Sequence, residues 1–373
     1  MAQVIKKRTI VLASVLKPVN ETRMFEKLGA TFATLPNAVV HIIGFPSSQQ
    51  LVQHENLQLH AHTAKPFGRL SHQRITAPVR ILFKLLQLKP RLLIITTHEL
   101  LAVALWCKFV TGCRLVYDVQ ENYYFNIRFT KSFPVVIRQV LALAVRFKEY
   151  LTKPFIDYYF LAERGYVHEL RFARPYLVLE NKLPQRLALK FRRHQAGNTR
   201  LIFSGTLSET TGVIEAIELA AKLHQLNPAI TLTVIGNSLS LSFLALLKRK
   251  AETYPFIRLK VSEYPFAHEQ ILEALGQADA GIIIYPPNPS TASSIPTKLY
   301  EYLAVQLPVI IRHNEASHQL VNHLKAGVLL TTHFMPETLL ASLREGFKPL
   351  DSPLIYWESA ENELAAIIKR LIL

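Results

Sequence analysis

The second half of the chain alternates short apolar segments with amphipathic segments, and this alternation strongly limits its possible folds. Strands are predicted at 200–204, 230–235, 257–261 and 281–285, and helices at 212–226, 239–252 and 268–275. Strands that are joined through helices run parallel, and the helices cover the faces of their sheet. The alternation therefore predicts an α/β domain with a parallel sheet.

The first half of the chain shows the same alternation of strands and helices, with longer segments between them. Strands are predicted at 9–16, 38–44, 92–97, 115–118, 157–161 and 176–179, and helices at 21–32, 79–88, 100–110 and 163–172. The polar stretch 46–77 contains several histidines without the spacing of a zinc site, and we expect it to form a loop or short antiparallel strands. A second parallel sheet is predicted here.

The chain has 373 residues, which is enough for two domains that each bury a core. We predict an N-terminal domain at 1–182, a basic linker at 183–199 and a C-terminal domain at 200–355. The last stretch, 356–373, ends in an amphipathic helix.

Composition favours a globular protein of a reducing compartment. Apolar residues make up 50% of the chain. The two cysteines, Cys107 and Cys113, are too few for a disulfide framework. The first apolar run is too short for a signal peptide, and every longer one is interrupted by Lys or Arg. These features predict a cytoplasmic protein.

Positive charge is concentrated in the first half. Residues 1–198 hold 29 Lys and Arg against 11 Asp and Glu, whereas residues 199–373 hold 14 against 16. A local basic surface predicts an anionic partner, which is a phosphate-bearing substrate, an anionic membrane surface or nucleic acid. No nucleic-acid motif accompanies the charge, so nucleic acid is not expected.

One basic segment, 126–155, combines an apolar run with Arg and Lys. Two interpretations fit this pattern. The segment is either a helix that lies in a membrane interface, or a long helix packed on the N-terminal domain. The first interpretation predicts a protein that is peripheral at the inner face of the plasma membrane.

The clearest binding element is the stretch 282–311, in which a short helix starts near Pro296 between two apolar strands. Unpaired amides at a helix start, together with the helix dipole, favour phosphate. Hydroxyls and one ammonium add to these amides, from Ser293, Ser294, Thr297 and Lys298.

A carboxylate, Glu301, lies one helical turn after Thr297 and so on roughly the same face. It could accept hydrogen bonds from a ribose diol. The alternative is a solvated helix residue paired with Lys298. Gly205 and Thr206 follow the strand 200–204, where a donor phosphate or sugar could also sit.

Three segments carry a resemblance to a known family. SSIPTKLYEYLAVQLPVII at 293–311 closely resembles the donor-nucleotide motif of family 4-like GT-B glycosyltransferases, the glycosyl transferases group 1. FSGTLSETTGVIEAI at 203–217 and LVYDVQENYY at 115–124 resemble two more of its segments. The resemblance implies an α/β GT-B fold of two facing Rossmann-like domains with parallel sheets. It also implies that Glu301 binds the ribose of a nucleotide sugar.

The catalytic residues are less well defined, because Gln120 stands where the family commonly has a histidine. Glutamine cannot act as a base. The remaining candidates are Asp118, Glu121 and His98, which follow predicted strands. Asp118 and Glu121 could instead cap and orient their loop.

Three further positions depart from the family pattern. The first loop, 17–23, has no glycine, so Lys17 and Arg23 are left either to approach a donor phosphate or to lie on the surface. A basic pair of many relatives is replaced by Thr206 and Thr211. Ser293 replaces the first glutamate of an E-x7-E pattern, so retention of stereochemistry is expected from the resemblance alone.

The predicted function is a hexosyltransferase-type glycosyltransferase that acts in cell-surface polysaccharide or lipopolysaccharide synthesis. It would move a sugar from a nucleotide-diphosphate donor to a glycan or lipid-linked acceptor. No Asp-x-Asp motif occurs, so neither a metal nor another cofactor is expected. The alternatives are a GT-B-fold sugar-nucleotide epimerase and a non-catalytic membrane- or partner-binding homologue.

Overall fold

The computed structural model describes residues 7–47, 55–68, 71–129, 134–193, 199–286, 294–331 and 334–372. The chain divides into two compact units, Met1–Asn181 with Ala360–Leu373, and Lys182–Ser359. None of the helices in these ranges is long and apolar enough to cross a bilayer.

The first unit is built on a parallel sheet. Its strands are β1 (Arg8–Pro18), β2 (Ala38–Phe45), β3 (Leu57–Ala61), β4 (Leu92–Ile95), β5 (Arg114–Val119), β6 (Tyr158–Leu161) and β7 (Tyr176–Val178). They run in the order β3-β2-β1-β4-β5-β6-β7 in the described part of the unit. Both β4 and β6 are buried along their whole length, as expected for strands that helices cover on both faces.

The helices of the first unit are α1 (Ala30–Ala33), α2 (Gln73–Leu88), α3 (Leu101–Thr111), α4 (Tyr123–Phe129), α5 (Val135–Thr152) and α6 (Tyr166–Glu169). A π-helical segment, Arg23–Gly29, leads into α1, and 3-10 turns at His98–Leu100 and Lys153–Phe155 flank α3 and α5.

The strand β3 corrects one prediction. It pairs in parallel with β2, with Val40 beside Leu57 and Gly44 beside Ala61. The stretch 46–77 therefore does not form the predicted loop or antiparallel strands alone. A parallel edge strand needs a crossover of about a dozen residues instead of a tight turn, and the polar pattern did not distinguish the two.

The second unit repeats the design. Its strands are β8 (Arg200–Thr206), β9 (Thr231–Asn237), β10 (Ile257–Ser262), β11 (Ala280–Ile283), β12 (Val309–Arg312) and β13 (Gly327–Leu330). The helices are α7 (Gln185–Lys190), α8 (Val213–Leu226), α9 (Leu241–Glu252), α10 (His268–Gly276), α11 (Thr297–Ala304), α12 (Glu315–His323) and α13 (Pro336–Glu345), with 3-10 turns at Glu209–Thr211, Pro353–Ile355 and Trp357–Ala360. The parallel strands lie in the order β10-β9-β8-β11-β12-β13 within the described residues.

The structure places the described residues 183–193 of the predicted linker in the second unit. Leu183 forms a bridge with Tyr356, and α7 buries Leu187 and Ala188 in the core of that unit. Leu187 and Ala188 pack in the core although the composition of the stretch is that of a linker, whereas Leu189 is 54% exposed.

The last helix, α14 (Glu361–Ile372), belongs to the first unit. It buries Leu364, Ile367 and Ile368, which are part of the apolar stripe of the sequence. The hydroxyl of Thr31 donates to the Glu361 carboxylate at 2.7 Å. The amphipathic pattern of the tail therefore corresponds to a packed helix.

Candidate functional site

Each sheet has a point where the order of its strands reverses, and such points bind ligands in open parallel sheets. In the second unit the reversal lies between the neighbours β8 and β11, because the strands that follow each of them in the chain are added on opposite sides. In the first unit it lies between β1 and β4. The residues just past the carboxyl ends of these strands are the first to consider.

At the end of β8, Gly205 brings an open backbone next to a cation. Its φ of +104° is strained for any residue with a Cβ, which explains the glycine. A Cβ at this position would lie 3.9 Å from Nζ of Lys298. The missing side chain therefore leaves room beside the ammonium group.

The Lys298 ammonium is buried on aromatic faces. Its Nζ lies 4.2 Å from the ring centre of Phe203 and 5.0 Å from that of Tyr285. It has no hydrogen-bond partner among the described residues. Burial lowers the pKa of Lys298 to about 7, and the nearby Glu301 carboxylate opposes this change. A buried cation that rests on aromatic rings and has no hydrogen-bond partner can be stabilised by an anion beside it.

Helix α11 carries both Lys298 and Glu301. Pro296 is its N-cap, with ψ of 134°, so the proline precedes the helix and does not form its first turn. The hydroxyl of Tyr302 accepts from the amide of Ser204 at 3.0 Å, which ties α11 to β8. This bond holds the second turn of α11 against the strand that ends at Gly205 and Thr206.

The carboxylate of Glu301 has a histidine partner. Its Oε1 lies 3.3 Å from Nε2 of His268, the first residue of α10. Burial first, and then the Glu301 charge, raise the pKa of Tyr285 to about 12, so this phenol stays protonated. The end of the sheet thus combines a cation, a carboxylate and a hydroxyl donor.

The other predicted donor residues lie around this group. Thr297 and Thr206 are exposed, and Ser294 is half-buried. Ser293 lies outside the described residues. Thr211 stands at a position where many relatives have a positively charged residue. Its hydroxyl accepts a hydrogen bond from the amide of Ser208 at 3.0 Å and so closes the loop after β8.

That loop is held against β11 by a second glycine. Gly212 has a φ of +80°, and a Cβ there would lie 1.6 Å from the carbonyl oxygen of Ile284. The close approach admits no side chain. It seats the loop of 207–212 next to the end of β11, beside Tyr285.

In the first unit, Asp118 is locked in a buried ion pair. Arg23 Nε donates to Asp118 Oδ2 at 2.9 Å and its Nη2 donates to Oδ1 at 2.6 Å, and both side chains are almost fully buried. Gln120 donates to Oδ2 as well, at 2.7 Å. Nη1 of Arg23 donates to the Leu179 carbonyl and to Asn181 Oδ1. Because these hydrogen bonds engage both side chains, the structure favours the structural role for Asp118. Arg23 is not available to bind a donor phosphate.

The residue that replaces the family histidine links this pair to the first loop. Besides donating to Asp118, Gln120 accepts from Lys17 Nζ, and Lys17 also pairs with Glu21 at 3.0 Å. Lys17 is half-buried and already neutralised. The loop without glycine is therefore held by a network of side chains.

His98 lies at the reversal point of the first sheet but is enclosed. Its Nδ1 lies 3.0 Å from Lys148 Nζ, its Nε2 lies 3.5 Å from Glu99 Oε1, and the Tyr123 ring packs edge-on at 4.7 Å. Burial lowers the pKa of His98 to about 4, and Lys148 adds to this against the opposing Glu99. A lysine can only donate, so Nδ1 accepts and the neutral ring has no free acceptor nitrogen for a substrate proton.

Of the three proposed bases, Glu121 has the most accessible carboxylate. It is half-buried, and its Oε2 accepts from Asn126 Nδ2 at 2.8 Å in an exposed contact. The neighbouring Asn122 is buried between Glu169 and Arg146. The structure therefore leaves Glu121 as the base candidate with the best geometry.

Sequence reasoning missed three residues of the second unit. These are Phe203 and Tyr285, which hold Lys298, and His268, which contacts Glu301. Tyr285 lies just past the carboxyl end of β11 and His268 at a helix start, and that position was the available signal for both. Phe203 lies inside β8 and gave no such signal.

One group of side chains among the described residues has the spacing of a metal site. Ligand atoms of His313, Glu315 and His318 lie within 4.8 Å of one another. His313 and Glu315 are exposed, and Asn322 Nδ2 lies 2.6 Å from His318 Nε2. Nothing else in the described structure points to an ion there.

Comparison with known proteins supports the architecture. Residues 187–348 match the family model described as Glycosyl transferases group 1. No curated protein matches the chain. Among solved structures, sucrose-phosphate synthase from Thermosynechococcus elongatus is similar over 98% of this chain and 99% of its own, with a TM-score of 0.68 and 12% identity.

Two more solved structures share the fold. HepE of Anabaena, in complex with UDP and glucose, is similar over 97% of this chain and 100% of its own, with a TM-score of 0.63 and 14% identity. An α,α-trehalose-phosphate synthase (UDP-forming) from Burkholderia vietnamiensis covers 98% of this chain and 96% of its own, with a TM-score of 0.57 and 11% identity. The predicted α/β fold of two Rossmann-like domains with parallel sheets is thus confirmed, and residues 187–348 are similar to a glycosyl transferases group 1 domain.

Proposed function

We propose that the second unit binds a nucleotide-diphosphate sugar and that the protein transfers the sugar to a glycan or lipid-linked acceptor, in cell-surface polysaccharide or lipopolysaccharide synthesis. One observation carries the donor site. The Lys298 ammonium is buried without a hydrogen-bond partner among the described residues, next to the open backbone of Gly205. This arrangement calls for an anion.

The diphosphate would lie between Gly205 and the start of α11. The Lys298 ammonium would supply a charge-assisted hydrogen bond, and the free amides of the helix start would supply further donors. Hydroxyls of Ser294, Thr297 and Thr206 border the same place. These groups can neutralise the leaving diphosphate, so we propose that no metal or other cofactor takes part.

The ribose would be held by Glu301. A carboxylate accepts from both hydroxyls of a diol, and the contact with His268 orients it. HepE, which shares the fold, is described in complex with UDP and glucose, and this supports a UDP-sugar as the first donor to test.

For the chemical step, we propose that Glu121 is the acidic side chain that assists the acceptor hydroxyl, since Asp118 and His98 are engaged. Retention at the anomeric carbon is proposed from the resemblance of the segment 293–311. Anomeric analysis of the product by NMR tests retention directly. A cytoplasmic location, peripheral at the inner face of the plasma membrane, is part of the same proposal.

The donor site is tested by calorimetric binding of UDP-, GDP- and ADP-sugars to the wild type and to Glu301→Ala. We expect saturable binding of one nucleotide class, weakened by about 1–3 kcal/mol in the variant because a hydrogen bond to a charged group is lost. Glu345→Ala removes an exposed glutamate of α13 and is the matched control. It should bind as the wild type does.

Transfer itself is tested by release of the nucleoside diphosphate in the presence of glycan and lipid-linked acceptors. Failure of a folded protein to bind any nucleotide sugar, or equal binding by Glu301→Ala, would contradict the donor site. Binding without release on any acceptor would leave donor recognition in place and contradict transfer. Interconversion of the donor sugar alone would identify an epimerase.

A further inference from the structure

Helix α5 of the first unit exposes large apolar side chains and buries polar ones. The line that faces the core contains Ala142, Val145, Glu149 and Thr152. The opposite line is apolar, and each of its members is at least 59% exposed: Val136, Val140, Leu143, Phe147 and Tyr150. A helix that only packed on its domain would turn these large side chains inward.

The neighbouring helices expose apolar lines as well. On α2 the line consists of Ile75, Val79 and Phe83, at a spacing of four residues. On α3, Trp106, Phe109 and Val110 are each at least 60% exposed. We call the exposed apolar side chains of these three helices the apolar face.

The three lines form one continuous surface. α3 contacts both α2 and α5. The inner residues of α2 and α3 belong to one core, which Tyr117 shares, and Tyr117 donates to Glu149 of α5 at 3.3 Å. Because the inner lines meet the same core, the outer lines face away from it on the same side. Contiguous apolar patches mark interaction sites, unlike scattered apolar residues.

The charges on these helices identify the partner. α2, α3 and α5 carry basic residues and a single acidic one: Arg74, Arg80, Lys84, Lys108, Arg138, Arg146 and Lys148, against Glu149. Arg74, Lys108 and Arg146 are already paired with Glu99, Asp157 and Glu149, so the positive charge open to a partner comes from the other cations, such as Arg80 and Lys84 of α2. Glu149 is buried, so none of the three described helices exposes an acid. Two copies of a cationic face repel each other, whereas anionic lipid headgroups attract it.

We propose that the apolar face docks on the surface of an anionic lipid bilayer. Its aromatic and aliphatic side chains enter the boundary between headgroups and acyl chains, and flanking cations such as Arg80 and Lys84 contact lipid phosphates. This surface is the partner contact of the peripheral location in the proposed function. The docking needs no donor and no turnover, so it is measured separately from them.

The test is cosedimentation of the full chain with vesicles of phosphatidylcholine, alone or mixed with phosphatidylglycerol. We expect binding to the mixed vesicles that falls at high salt. Phe147→Ser should weaken it about tenfold, because a buried phenyl ring contributes most of the apolar gain at its position. Arg80→Glu should weaken it roughly fivefold or more.

Leu239→Ser is the matched control, because Leu239 is 90% exposed but lies in the second unit. It should bind vesicles as the wild type does, and so should Glu301→Ala, which separates docking from donor binding. Thermal melts of the variants should match the wild type, since the replaced side chains are exposed.

Three results would overturn the proposal. One is a folded wild type that does not sediment with mixed vesicles. Another is equal sedimentation of Phe147→Ser and the wild type. The third is self-association that Phe147→Ser abolishes while vesicles bind neither protein, because a second copy would then cover the apolar face.

Discussion

Raising the pH should weaken donor binding, because the proposed diphosphate site depends on the buried Lys298 ammonium. Burial lowers the pKa of this lysine to about 7, against the effect of Glu301. A diphosphate beside Nζ would favour the charged form and raise the pKa again. Above about pH 7, the free protein must therefore take up a proton when it binds the donor.

The size of the effect follows from the pKa. With a value of about 7, roughly half of the molecules carry the charge near pH 7 and about 3% carry it near pH 8.5. The affinity for a nucleotide sugar should fall about 15-fold over this interval. Near pH 8, binding should take up about 0.9 proton per donor. The diphosphate diester of the donor does not titrate in this range, so the change belongs to the protein.

Calorimetry in two buffers of different ionisation enthalpy measures both quantities. The matched variant is Lys298→Met, which keeps the length and fills the space over Phe203 and Tyr285 without a titrating group. It should bind more weakly than the wild type near pH 7, and its affinity should not change with pH. Its stability should not fall, since replacing a buried charge by an apolar group is often stabilising.

The reasoning fails if wild-type binding neither changes with pH nor takes up a proton. It also fails if Lys298→Met keeps the wild-type pH dependence, because another group would then be titrating. A variant that loses affinity and pH dependence together would assign both to the ammonium.

Three further predictions concern the first unit and the metal. Asp118→Ala should lower the free energy of unfolding, measured with denaturant, by about 3–5 kcal/mol because it leaves the Arg23 charge buried and unpaired. The double variant Arg23→Met/Asp118→Leu should recover most of that loss. An equal loss in both variants would contradict the ion-pair account. Glu121→Gln should lower kcat roughly 100-fold with KM for the donor unchanged. If the variant turns over at the wild-type rate in a steady-state assay, Glu121 has no part in the chemical step. Turnover should be the same with and without EDTA, and loss of activity that Mg²⁺ or Mn²⁺ restores would contradict metal independence.

Features that depend on neighbours in the chain could be predicted from the sequence. Apart from the edge strand β3, the strands follow from short apolar runs between helical periodicities, and α11 follows from Pro296 and the apolar spacing after it. The parallel pairing follows from the alternation, since each strand is reached through a crossover. The positions of Lys298 and Glu301 on one short helix at a strand end also come from local pattern.

Features that depend on contacts between residues far apart in the chain could not be predicted from the sequence. Arg23 and Asp118 are 95 residues apart, and each has the composition of a surface or site residue when taken alone. Lys298 is a helix residue of ordinary appearance, and its burial is created by Phe203 from another strand. The fold of α7 likewise depends on the core that accepts Leu187, which a basic composition does not show.

The distribution of charge between the halves is a poor guide to the phosphate site, because what matters is which cations remain unpaired. The basic first half neutralises several of its cations internally, as Arg23 does with Asp118 and Arg74 with Glu99. Lys298 is buried near a strand end and has no hydrogen-bond partner in the described structure. It lies in the half of the chain that has a slight excess of acidic residues. Arg80 and Lys84 of the first half flank the apolar face. The excess of basic residues therefore fits a surface partner better than a bound nucleotide, and the two proposals place their anions in different units for the same electrostatic reason.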